Sequence, residues 1–156
     1  MHTKYIILFA FTLLTINLFG QPDKNKREEM REKIHAEKIA FIATEINLTA
    51  DEAQRFWPIY NAYEEEIHNL RMERRKYHRE LKSLEGNSGD QGYNIFEAIF
   101  ATEKKESDVR QKYLKLFADE LGKTKAAKVF IAEENFKREL MKKFKNDRGH
   151  HPPPGE

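Results

Sequence analysis

The chain has no cysteine, only seven glycines and five prolines, and one tryptophan in 156 residues. Without cysteine there are no disulfides and no lipid-modified cysteine, so an oxidising compartment is tolerated and left unexploited. Three of the five prolines sit together at 152–154, so Pro58 is the only proline between Pro22 and the tail. Few glycines and prolines beside abundant Glu, Lys, Arg, Leu and Ala make a chain built for helices. Charge of one sign is also lacking: 28 basic against 26 acidic residues give a formal +2, which excludes a strong net field and leaves local patches. Charged residues nevertheless make up 35%, so much of the helical surface stays wet and an elongated bundle is expected.

Long hydrophobic runs are limited to one. Residues 1–20, MHTKYIILFAFTLLTINLFG, form a weakly basic start, a 15-residue uncharged run from Tyr5 to Phe19 and a small residue, Gly20. That run is shorter than the roughly 20 residues of a spanning helix, and charged sequence follows it at once. The expectation is an export signal cleaved after Gly20, leaving a single helical domain over 21–146 and a disordered tail over 147–156.

Four helices are expected. The first runs from about Lys24 to Ile46 with Ile34, Ile39, Ile42 and Ile46 at helical spacing, and Asn47-Leu48 closes it. Thr49 and Glu52 form a capping box that opens the second, about Ala50 to Leu84. Its seam of Ala53, Phe56, Tyr60, Tyr63, Ile67, Leu70, Arg74, Tyr77, Leu81 and Leu84 alternates steps of three and four, as a heptad does. Such a helix is about 50 Å long. EGNSGDQGY, residues 85–93, reads as a loop, after which Asn94 with Glu97 predicts the cap of the third helix. Ile95, Ile99, Val109, Tyr113, Leu116, Phe117 and Leu121 mark its buried side, interrupted by the polar interval 101–108. Gly122 breaks the chain, and a fourth helix over about 124–144 buries Ala126, Val129, Phe130, Phe136, Leu140 and Phe144. The fold class is all-α: an elongated, curved four-helix arrangement of two helical hairpins with one long second helix.

Pro58 falls within the second helix, where proline loses a hydrogen bond and clashes one turn back. It stands on the outward side of the seam, and the carbonyl it orphans, that of Gln54, also points outward to water. The helix is expected to bend away from Pro58, curving Phe56, Tyr60 and Tyr63, with Trp57 on their flank, around their packing partner. Arg74 is the one charged seam residue. A hairpin through the glycine loop sets it opposite Glu103 and Glu106, predicting a charge cluster, against the alternative that Arg74 snorkels to water.

No nucleophile motif, phosphate loop or paired-carboxylate site is present; Ser83, Ser88 and Ser107 have no catalytic context, so no catalysis and no cofactor are expected. Glu64, His68 and Met72 share one helix face, yet one helix rarely completes a coordination sphere, and two tail histidines, His150 and His151, do not make a site; no metal is expected. The basic run RMERRKYHRELK, residues 71–82, reads first as a solvated helix with compensating acids. As a surface it would suit acidic, partly unfolded protein or anionic lipid, and the leader argues against nucleic acid.

LTADEAQRFWPIYNAY, residues 48–63, resembles the LTxxQ-motif proteins of the bacterial envelope, the Spy/CpxP group. It is most similar to small secreted helical proteins described as sensors of ECF-type sigma factors. These share the leader, the Asn-Leu-Thr turn, the FWPIYNAY block and a late AxxF…EExFKREL segment, here Ala127 to Leu140. Glu52 stands where the motif has Gln, and the second motif copy is degenerate at Leu121-Gly122-Lys123-Thr124-Lys125. Aligning Leu48 with Leu121 suggests a faint internal repeat. The resemblance implies a periplasmic stress sensor that binds a membrane-bound regulator in an ECF-type sigma factor pathway, near the membrane surface. Its alternatives are an ATP-independent holdase of unfolded clients and a metal sensor; a homodimer is compatible with each. The partner surface it implies includes Leu48, Thr49, Glu52, Phe56, Trp57, Pro58, Tyr60, Tyr63 and Arg74, although aromatics at helical spacing read first as core.

Overall fold

The structure, a computed structural model, describes residues 22–84 and 89–149. The expected leader and most of the expected tail, residues 150–156, lie outside the described residues. Four helices follow one another: α1 (Pro22–Glu45), α2 (Ala50–Ser83), α3 (Gly89–Leu121) and α4 (Lys123–Gly149), with no strand among the described residues. The chain divides into two compact units between Ala40 and Phe41, so all but the last turn of α1 belongs to the first. The candidate site lies wholly in the second.

Pro22 opens α1 at a position where its missing N–H would have had no helical partner. At the other end Asn47 adopts φ +48°, Leu48 N donates to Ala43 O at 3.0 Å and Asn47 N donates to Thr44 O at 3.1 Å. This paired reversal satisfies the last carbonyls of α1, with asparagine tolerating the left-handed residue that glycine usually supplies. Thr49 then caps α2 as expected. Its Oγ1 accepts from Glu52 N at 3.3 Å, and its own N–H donates to Glu52 Oε2 at 2.9 Å.

The α2 seam is buried from Phe56 through Ile67 and half-buried at Ala53 and from Leu70 to Leu84. α2 packs along α3, and α3 along α4. The first pair is antiparallel: Phe56 meets Phe117 near one end, Arg74 meets Glu106 further along, and Leu84 approaches Gly92 at the other. The second pair reverses at one residue, Gly122, whose φ of +79° suits glycine. Phe41 and Ile42 at the end of α1 join this unit, Phe41 stacking on Phe136 of α4 at 5.7 Å.

Pro58 is exposed within an uninterrupted α2, and Gln54 is exposed beside it. Several expectations are corrected. Residues 89–93 are helical, so Asn94 lies inside α3 and caps nothing. Asp90 complements the positive end of α3. Gly92 sits so near Leu84 that an added Cβ would lie 3.8 Å from Leu84 Cδ1, so the loop end of the hairpin is already packed there. Gly92, inside α3, costs about 1 kcal/mol relative to alanine. Leu116 and Phe144 are exposed at 37% and 39%, outside the core assigned to them. α4 runs on to Gly149, three residues into the expected tail. The faint repeat also fails at its turns. The left-handed residue precedes Leu48 in one and follows Leu121 in the other, so the two connections have different backbones.

Candidate partner surface

The FWPIYNAY block forms core. Phe56 and Tyr60 are fully buried and Tyr63 is 1% exposed. Their common partner is Phe117 of α3, fully buried, with ring centroids 5.2 Å from Phe56, 6.1 Å from Tyr60 and 5.7 Å from Tyr63. Tyr113 and Phe130 close the cluster at 6.0 and 5.9 Å from Phe117. Tilted and edge-on pairs of this kind add about 0.5–1.5 kcal/mol each beyond the area they bury. Trp57 covers this cluster, half-buried, 4.8 Å from Phe56 and 5.5 Å from Tyr60. Phe56, Tyr60 and Tyr63, expected on a partner surface, are therefore inside one chain and cannot present themselves to a partner without unfolding it.

Two polar devices pin this core. Glu133 of α4 accepts from Tyr60 Oη at 2.8 Å and from Tyr63 Oη at 3.1 Å. Burial first, and then the Glu133 charge, push both phenols far above their ordinary range, so they stay neutral donors. At the corner, Lys125 Nζ donates to Glu52 Oε2 at 2.7 Å and to Asn47 O at 2.9 Å, joining the start of α4 to both sides of the α1–α2 turn. That hydrogen bond from Lys125, with the Thr49 N–H, holds the Glu52 carboxyl down at about 2. Thr49 is exposed and Leu48 half-buried in the same turn.

Arg74 pairs as predicted, 3.1 Å from Glu106 and 3.8 Å from Glu103. Glu106 is 8% exposed and also holds Arg71 and Arg110, each at 3.2 Å. Burial pushes its carboxyl up, but the Arg110 hydrogen bond and the charges of Arg71 and Arg74 outweigh it, and the net shift is downward. The polar interval of α3 thus contributes two buried residues: Glu106, at the centre of a partly exposed ion cluster, and Thr102, whose Oγ1 donates to Ala98 O at 2.7 Å. No buried side-chain donor or acceptor lacks a partner among the described residues. Arg71, Arg110 and Glu133 were missed in the sequence. The spacing of Arg71 and Arg74 toward one carboxylate was a usable signal, whereas Glu133 depends on where α4 packs.

The residues that remain available are elsewhere. Tyr93, Phe96 and Phe100 of α3 are 64%, 46% and 63% exposed, and Ile131 and Met141 of α4 are exposed to a similar degree. His68 and Met72 are also exposed, and no group of three His, Asp or Glu side chains able to hold a metal is found among the described residues. None of the described helices is long and apolar enough to cross a membrane. Comparison with protein-family models, curated proteins and solved structures returned no match.

Proposed function

We propose that this chain is an exported envelope-stress sensor that acts by binding, engaging a membrane-bound regulator in an ECF-type sigma factor pathway of the periplasm. One observation carries the reading. The two segments on which the resemblance to these sensors rests, the FWPIYNAY block and the Ala127–Leu140 segment, meet each other. Phe130 meets Tyr63 edge-on with ring centroids 5.7 Å apart, and Glu133 joins Tyr60 to Tyr63. Residues some 70 positions apart that recur together in the resemblance are thus one physical unit, as a shared fold requires. In this reading the block is scaffold, and contact is made by exposed helix faces. Deleting the coding sequence and following ECF-type sigma-dependent transcription under envelope stress tests it. A changed response is expected; an unchanged one overturns the reading.

A second reading, an ATP-independent holdase, is favoured by the apolar side chains that α4 leaves in water, Ile131 at 57% and Met141 at 67% exposed, with Phe144 near them in sequence. Unpartnered apolar surface of this kind suits exposed segments of unfolded clients. A holdase suppresses client aggregation at near-stoichiometric amounts, and a dedicated sensor does not.

A further inference from the structure

The loop end of the α2/α3 hairpin carries two exposed ridges side by side. In an antiparallel helix pair, the residue immediately after each seam position rotates to the same face of the pair, because the two chains turn about opposite axes. On α2, Arg75, His78 and Lys82 follow the seam residues Arg74, Tyr77 and Leu81, and all three are exposed. On α3, Phe96 and Phe100 follow the buried Ile95 and Ile99, and Tyr93 follows Gly92, which abuts Leu84. The register fixed by Leu84 with Gly92 and by Arg74 with Glu103 and Glu106 brings the two ridges to the same height.

Among the described residues, part of this charge is unpaired and the rings stand out from the helix. Of the α2 cations here, Arg74 and its neighbour Arg71 are taken by Glu106, and Lys76 by Glu80 at 3.8 Å. Arg75 and Lys82 have no ion pair among the described residues. Phe96 and Phe100 pack on each other at 6.2 Å and stand out from the helix. Acids are also present: Glu103, which follows the buried Thr102, lies on the same face and is paired with Arg74 at 3.8 Å, and Glu97 and Asp90 lie on α3 beyond the rings.

We propose that this face docks on an anionic phospholipid surface. Exposed rings beside a cationic ridge match the membrane interface in two independent ways. Aromatic side chains settle at headgroup depth, and Arg and Lys are drawn by the anionic surface potential. The sensor would thereby be held at the surface in which its regulator is embedded.

Flotation of the full chain with vesicles tests this, using phosphatidylcholine alone and phosphatidylcholine with about a third phosphatidylglycerol. The N-terminal apolar run is common to every variant, so the readout is the extra binding that anionic lipid confers. The wild type is expected to gain binding on the mixed vesicles and to lose that gain in high salt. Arg75→Glu with Lys82→Glu is expected to reduce it about 25-fold or more, from roughly fivefold per surface cation, and separately Phe96→Ser with Phe100→Ser is expected to reduce it by removing the rings from the interface. Helicity by circular dichroism should stay at the wild-type value, because all four residues are exposed. Undiminished binding by both pairs, or capture of polyglutamate with no preference for anionic vesicles, overturns the proposal.

Discussion

Arg74 Nη1 lies 3.1 Å from Glu106 Oε2 across the α2/α3 hairpin, and Arg71 and Arg110 close on the same carboxylate. One buried acid thus holds three partly exposed guanidinium groups along the helix pair. Removing it leaves like charges facing each other with their acceptor gone. Glu106→Ala is expected to destabilise by about 2–4 kcal/mol, discounted from the buried-pair value because the arginines reach water. Arg71→Ala, at a side chain 43% exposed, should cost under about 1 kcal/mol. Urea unfolding separates the two, and equal effects would contradict a central role for the carboxylate.

The corner built on Glu52 makes stability depend on acid. The folded carboxyl sits at about 2 against an ordinary 4.5, so its contribution is complete above about 4.5 and disappears as pH falls toward 2. Glu66 and Glu106 are shifted the same way and add to the slope. Melting temperature followed from pH 6 to pH 2 should fall, and Lys125→Met should flatten the curve while lowering its upper end. A Lys125→Met curve parallel to the wild type would show that this contact is not the source.

Pro58 stands exposed in a helix that continues through it. Replacing it by alanine returns a hydrogen-bond donor to the Gln54 carbonyl and removes a steric conflict. Pro58→Ala should therefore stabilise by about 1–3 kcal/mol. Loss of stability instead would mean that the aromatic core depends on a proline-bent helix.

Gly122 adopts φ +79°, and a Cβ there would meet nothing within 4 Å. The penalty of Gly122→Ala is consequently backbone strain alone, about 1–2 kcal/mol by thermal unfolding. Gly122→Asn should recover part of it, since asparagine already serves at Asn47.

Much of this unit was legible because its rules are local. The Thr49–Glu52 box, the close of α1 at Asn47-Leu48 and the seam of α2 each follow from patterns within a few residues. The pairing of Arg74 with Glu106 required one further step, a hairpin register set by the glycine-rich connection. Asn94 with Glu97 shows the limit, since a box spacing inside a helix looks the same as one at its start. α3 starts instead at Gly89, with Asp90 in its first turn, inside the stretch whose glycines read as a loop. Tyr60 and Tyr63 read as core by their helical spacing and as partner surface by the resemblance, and Phe117, Phe130 and Glu133 around them bear out the core reading. Their resemblance to a motif marked them as important, and the importance is to packing.

The central claim is that this chain works by touching a regulator with exposed helix faces while the motif block supports them. Titration calorimetry of the full chain against the exported domains of the host's membrane-bound ECF-type sigma regulators tests that most directly. Saturable binding to one of them is predicted, kept by Tyr60→Phe, which should lower stability by about 1–2 kcal/mol through loss of a donor to Glu133. No binding to any of these domains by wild-type protein with its helices intact would contradict the account.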